Sequence, residues 1–312
     1  MKINCFVPAL IAAAIALAPG ASAAEKKVAD PVAPKSTRVL PTTPAGVTCI
    51  TNVLAKYPEH TVEVIVYVPD KPGVYPTILD IHGGGWSARQ VENDKPMMGR
   101  LATRGFVTAL VSYRLSTEAK YPAALSDCKA AVRFLRANAV KFKIDAERIG
   151  VMGGSAGGHL SGLLAMTSGK PEFEGDGPYR EYSSAVKACI VMASTMDLYE
   201  TSKANTSTNA IQFFGVKCSE NPELYKQVSP ITHVSAKSPP TLFIEGEKDK
   251  LKVGRAEMQA KFKAAGVETG LFTLKDAPHP FWMRQPWLDE TVEHATEFFH
   301  RHLGSVKSAD KQ

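Results

Sequence analysis

Gly153-Gly154-Ser155-Ala156-Gly157-Gly158 lies between the short apolar run Arg148-Ile149-Gly150-Val151-Met152 and the apolar stretch His159-Leu160-Ser161-Gly162-Leu163-Leu164-Ala165-Met166. A strand that turns straight into a helix forces the middle residue into strained backbone, so glycines must flank it to avoid clashes. The stretch therefore predicts a nucleophile elbow. It would hold the Ser155 hydroxyl at the carboxyl edge of a parallel sheet, above the positive end of the following helix.

Working outward, the flanking chain supplies the rest of such a sheet. Upstream, Thr61–Val68 is β-branched and stopped by the turn signal Pro69-Asp70-Lys71-Pro72-Gly73. Pro76–Ile81 gives the next strand, Gly105–Tyr113 is a continuous apolar run suited to a central parallel strand, and Tyr121–Lys141 has apolar residues at helical spacing. Downstream, strands are expected at 186–192, 241–245 and 269–274, and helices at 253–265 and 287–303. Residues 169–184 read as a surface excursion near the rim of the site. Residues 194–238, with short helices around 209–214 and 222–227, read as the segment that covers it. The implied class is α/β, with a mostly parallel central sheet and helices on both faces.

Three groups sit just after predicted strands in the order Ser155, Asp249, His279. A serine hydroxyl is a poor nucleophile at neutral pH, so a neutral imidazole must take its proton during attack and return it to the leaving group. His279 is the candidate for that role, with Asp249 holding the other ring nitrogen and stabilising the imidazolium as it forms. The strand ending at Ile81 runs into His82-Gly83-Gly84-Gly85-Trp86. Successive glycines at a strand end let amide groups point into a site. The N–H groups of Gly84, Gly85 and Ala156 would form an oxyanion hole.

Each role has competitors. His159 lies four residues after Ser155 on the same helix and reads as a packing residue, His82 as a brace for the glycine loop, and His294, His300 and His302 as surface residues of the last helix. Asp197 and Asp276 are the alternatives to Asp249. Trp86 and Trp282 flank the glycine loop and the histidine. They are candidate substrate-binding aromatics that could stack on a sugar or aryl group, and equally could fill core space.

Composition narrows the class. The chain has 312 residues, is 44% hydrophobic and carries a formal net charge of +6. That supports one large domain with a substantial core, and the scattered basic residues argue against a nucleic-acid partner. Met1-Lys2-Ile3-Asn4, the apolar run Cys5–Ala18 and the small residues Ala21 to Ala24 read as a secretory signal peptide over 1–24. This places the mature protein in a periplasm or outside the cell, with no membrane attachment after cleavage. Residues 25–48, with Pro31, Pro34, Pro41 and Pro44, read as a flexible leader, 49–304 as the catalytic domain and 305–312 as a polar tail. Export permits disulfides among Cys49, Cys128, Cys189 and Cys218, and their spacing leaves the pairing open, with a buried free thiol the simpler reading for Cys128 and Cys189. No His/Cys spacing predicts a metal site, no cofactor is expected, and the oligomeric state is left open.

With His82–Trp86, Gly153–Leu160, Ser229-Pro230-Ile231-Thr232-His233-Val234, Gly246 to Asp249 and Ala277-Pro278-His279 in place, the chain resembles the α/β-hydrolase carboxylesterases over residues 57 to 303. It is most similar to the exported acetylxylan and feruloyl esterase-like branch, with the hormone-sensitive-lipase-like esterases as cousins. The resemblance implies the α/β-hydrolase fold, activity on ester-decorated plant polysaccharide, and the roles given above to Ser155, Asp249, His279, Gly84, Gly85 and Ala156. Alternatives are an arylformamidase-like amide hydrolase, a lipase-like short-chain esterase and a non-catalytic binding protein on the same fold. Two positions depart from the pattern. Gly154 stands where lipase-like cousins carry an acid, and Pro280-Phe281-Trp282 follows the histidine where a glycine is more usual.

Overall fold

A computed structural model describes residues 36–204 and 206–308. The expected signal peptide, the first part of the leader and the end of the tail lie outside the described residues.

The strands are β1 (Thr37–Arg38), β2 (Val47–Lys56), β3 (Thr61–Pro69), β4 (Tyr75–Ile81), β5 (Val107–Val111), β6 (Ile144–Gly154), β7 (Cys189–Met192), β8 (Thr241–Gly246), β9 (Thr269–Leu274) and β10 (Arg284–Gln285). The helices are α1 (Val91–Thr103), α2 (Ala123–Ala137), α3 (Ala156–Met166), α4 (Leu198–Ser202), α5 (Thr208–Phe214), α6 (Pro222–Gln227), α7 (Arg255–Ala264) and α8 (Trp287–Leu303). Eight strands form one sheet in the order β2-β3-β5-β4-β6-β7-β8-β9. β2, β3 and β5 pair antiparallel, and every pair from β5 through β4 to β9 is parallel.

The sheet divides the core in two because strand side chains alternate between faces. Val107, Ala109, Val111, Ile149, Val151, Cys189, Val191 and Phe243 join α2, α3 and α7 on one face. Ile78, Leu110, Met152, Ile190, Met192 and Ile244 join α1 and α8 on the other. Strands covered on both faces read as continuous apolar runs, which is why β5 to β8 were visible in sequence.

Several elements differ from expectation. Residues 36–48 are not wholly a leader without partners. β1 pairs with β10, the Val39 amide donates to the Met283 carbonyl at 3.3 Å, and β2 already begins at Val47. The prolines in this stretch break periodicity, but the backbone between them still finds acceptors and donors on the domain. α1 carried no helical signal because Pro96 and a cluster of charges interrupt it; buried Met97, Met98, Leu101 and Ala102 nevertheless pack it onto the sheet. The excursion at 169–184 is anchored to α2 and contributes nothing to the pocket beside Ser155. There Glu174 accepts from buried Lys129 at 3.0 Å and Arg133 at 2.8 Å. All four described cysteines are free, Cys49 exposed and Cys128, Cys189 and Cys218 buried.

Candidate active site

The elbow has the expected form. Ser155 sits between the last residue of β6 and the first of α3 at φ 57° and ψ −124°, a conformation that costs on the order of 1–3 kcal/mol and must be held by its surroundings. Its amide donates to the Met192 carbonyl at 2.9 Å, and its own carbonyl accepts from the Ser194 hydroxyl at 2.7 Å. α3 crosses so close to the end of β4 that a Cβ on Gly157 would lie 1.7 Å from the Ile81 carbonyl oxygen. Only a glycine passes there.

β8 delivers Asp249 and β9 delivers His279 to the same carboxyl end of the sheet. Asp249 is 4% exposed; its Oδ2 accepts from His279 Nδ1 at 2.7 Å and its Oδ1 from the Leu251 amide at 2.9 Å. The first bond fixes the imidazole tautomer, leaving Nε2 free to accept a proton. The Ser155 hydroxyl makes no hydrogen bond among the described residues. Such bonds tighten when substrate binds.

The competitors are occupied elsewhere. Asp197 caps α4 by accepting from the Glu200 amide at 2.9 Å, and Asp276 pairs with Lys248 at 2.8 Å. Buried His159 donates from Nε2 to the Val228 carbonyl at 2.8 Å and meets Trp86 edge-on. His82 stacks on Tyr113 at 4.3 Å, with Nδ1 2.7 Å from the Gly83 carbonyl, so it braces the glycine loop. His300 bonds to the Arg104 carbonyl at 3.0 Å, near the start of β5 and far from the elbow, and His294 and His302 share its helix.

Burial lowers both His82 and His159 to about 4. In the unfolded chain a histidine titrates near about 6.5, so the stability owed to the neutral rings is whole above that pH and is lost as pH falls towards about 4. Each ring accounts for on the order of 3 kcal/mol at the limit. Urea unfolding of the wild type and His159→Phe should show their stability difference shrinking as pH drops through this window. A constant difference would mean that His159 titrates like an exposed imidazole.

Gly83, Gly84 and Gly85 turn the chain back on itself, with the Ser87 and Ala88 amides donating to the Gly84 carbonyl at 3.1 and 2.9 Å. Gly84 adopts φ 104°, open to glycine and strained for other residues. Among the described residues, neither the Gly84 nor the Gly85 amide donates to a backbone carbonyl. Ala156 is the first residue of α3, so its amide has no partner within the helix.

A pocket of about 140 Å3 opens beside Ser155. Gly85, Trp86 and Ala156 border it, and Ser194, Thr195, Leu198, Thr201, Ser207, Asn209 and Leu251 complete its wall. Trp86 is 6% exposed, stacked on Phe213 at 4.9 Å, and forms part of the lining. Trp282 is placed differently from the expectation of substrate contact. It is 1% exposed, does not border the pocket, and lies in the core under His279. The polar wall from 194 to 209 was missed in sequence; only the placement of the covering segment signalled it. No group of described residues has the arrangement of a metal site, and no described helix is long and apolar enough to cross a membrane.

A mostly parallel sheet with helices on both faces, a serine elbow and a histidine–aspartate couple at its carboxyl end define an α/β-hydrolase. The chain belongs to the BD-FAE family, which it matches over residues 65–257. It is similar to Esterase LipQ of Mycobacterium tuberculosis, with 29% identity over 66% of this chain and 49% of that one. Among solved structures it is similar to a truncated carbohydrate esterase from gut microbiota, with 26% identity, a TM-score of 0.72, and 84% of this chain and 99% of that one covered. It is also similar to a bifunctional GH43-CE protein of Bacteroides eggerthii, with 28% identity, a TM-score of 0.70, and coverage of 78% of this chain and 36% of that one. The chain spans about half the length of the curated relatives it matches.

Proposed function

We propose that the protein is an exported serine carboxylesterase that removes acetyl or other small acyl groups from a carbohydrate, plant polysaccharide in particular. The observation that carries this reading is Ser155 at a strained elbow, on the wall of a small pocket, with the His279–Asp249 couple at the same sheet end. His279 takes the Ser155 proton as the hydroxyl attacks the ester carbonyl. The resulting oxyanion is held by the amides of Gly84, Gly85 and Ala156, fixed donors worth several kcal/mol in the transition state. Collapse expels the alcohol, protonated by His279, and leaves an acyl-enzyme. Water activated by His279 then releases the acid and restores Ser155.

A pocket of about 140 Å3 beside Ser155 supports a short acyl group. The similar proteins, an esterase and a carbohydrate esterase, support the bond type and the substrate class. Residues 1–24 support export to a periplasm or beyond.

The test is hydrolysis of chromogenic acetate, butyrate, octanoate and ferulate esters, with Ser155→Ala as the blank. Acetate should be preferred over octanoate by at least about tenfold. Octanoate preference would make the lipase-like reading the better one, and ferulate preference would require an aryl pocket. Absence of Ser155-dependent turnover on every ester would overturn the assignment and favour the amide-hydrolase and binding readings.

A further inference from the structure

The two positions at which the sequence departs from the resemblance, Gly154 and the Trp282 segment, meet in space. A Cβ on Gly154 would lie 2.2 Å from Trp282 Cζ2, so the indole occupies the room that any side chain before the nucleophile would take. The same indole meets the His279 ring edge to face, with centroids 5.4 Å apart and planes at 85°. Its Nε1–H donates to Asp94 Oδ1 at 3.0 Å.

Asp94 on α1 is 1% exposed and faces Asp80 on β4, which is wholly buried. Among the described residues neither carboxyl forms an ion pair with a cation. Two such acids, buried near one another without a cation, resist ionising together. Burial, reinforced by the neighbouring Asp94, holds Asp80 well above the ordinary carboxylate range, and burial raises Asp94 to about 7. An acid kept in the core without a cation is costly, and among the described residues the side-chain hydrogen bond that Asp94 accepts comes from the indole that touches the catalytic imidazole.

We infer that Trp282 and Asp94 are positioning residues for His279. The bond to Asp249 fixes one edge of the imidazole but still allows the ring to swing about the Nδ1–Oδ2 line. An indole packed against it, itself locked by Asp94, removes that freedom and keeps Nε2 aimed at Ser155. A misplacement of about 1 Å in such a group can cost on the order of a hundredfold in rate. The inference rests on His279 being the base proposed above.

The variants Trp282→Phe, Asp94→Leu and Asp94→Asn test it, read by kcat, KM and the low-field imidazole N–H resonance of His279. Trp282→Phe fills most of the space but cannot donate, and Asp94→Leu cannot accept. Both should lower kcat by about tenfold or more with KM within about twofold, and should shift or broaden the His279 resonance. Asp94→Asn keeps an acceptor and should restore the resonance and most of kcat. Trp282→Phe and Asp94→Leu with wild-type kcat and an unmoved resonance would reduce Trp282 to core filling and overturn the inference. Should Asp94→Leu fail to fold, Trp282→Phe alone decides between these outcomes. A wild-type protein without Ser155-dependent turnover would refute the esterase reading instead, and the resonance would still decide the positioning.

Discussion

Ser155→Ala is expected to fold like the wild type and to lower kcat by about 10^5-fold or more on any ester the wild type cleaves. Its hydroxyl makes no hydrogen bond within the described chain, and alanine meets the same φ of 57°, so nothing that holds the elbow is removed. What disappears is the atom that forms the acyl-enzyme. His279→Ala should cost nearly as much, because a hydroxyl without a base does not attack at neutral pH. The two losses should not add, since each removes the same concerted step; the double variant should match either single one within about tenfold. Equal circular dichroism and unfolding midpoints, set against single-turnover rates, make the comparison. A Ser155→Ala protein retaining a tenth of the wild-type rate would place the chemistry on another residue.

The second large effect falls on the fold. Gly157→Ala would put a methyl carbon 1.7 Å from the Ile81 carbonyl oxygen, 2.6 Å from its carbon and 2.7 Å from the His82 carbonyl oxygen. All three atoms are backbone, at the point where β4 passes into the glycine loop, so no flexible side chain can give way. Either α3 lifts from the sheet or the loop shifts, and both carry parts of the site. A loss of more than about 4 kcal/mol is expected, a large share of the 5–15 kcal/mol typical of a domain. Gly169→Ala is the control. It has a positive φ, of 72°, which Gly157 in the first turn of α3 does not, but nothing lies within 4 Å of the added atom, so only the backbone strain of about 1–2 kcal/mol should appear. Urea unfolding and soluble yield measure both. A Gly157→Ala protein as stable as Gly169→Ala would mean that α3 does not cross β4 as closely as described.

Much of this was legible because the chemistry sits where strands end. A strand buried on both faces is an apolar run, and the polar residue that breaks it marks the sheet edge; Asp249 stands just beyond such a break after β8, whereas His279 follows the half-exposed edge strand β9. α6, β9 and α8 coincide with their expected bounds, since Pro222 opens α6, Gly266 ends the helix before β9 and a periodic apolar face marks α8. What stayed hidden depends on residues far apart in the chain. β2 alternates with Thr48, Thr51 and Asn52 on an edge strand, and only pairing with β3 shows it to be a strand. Trp282 read equally as a sugar platform or as core, and its burial follows from an absence at Gly154, which pattern alone does not reveal. Its partner Asp94 is 188 residues away, in a helix that Pro96 disguises.

The division of the core by the sheet has a consequence for how such a protein can change over generations. Trp86, Leu198 and Phe213 belong to one apolar layer, whereas Trp282 belongs to the other, beside α1. Substitutions that widen or narrow the acyl pocket can therefore accumulate in the first layer without disturbing the indole against His279. Specificity is free to drift while the proton-transfer machinery stays constant. A lineage built on this arrangement can explore new esters by small steps, each intermediate remaining an active enzyme.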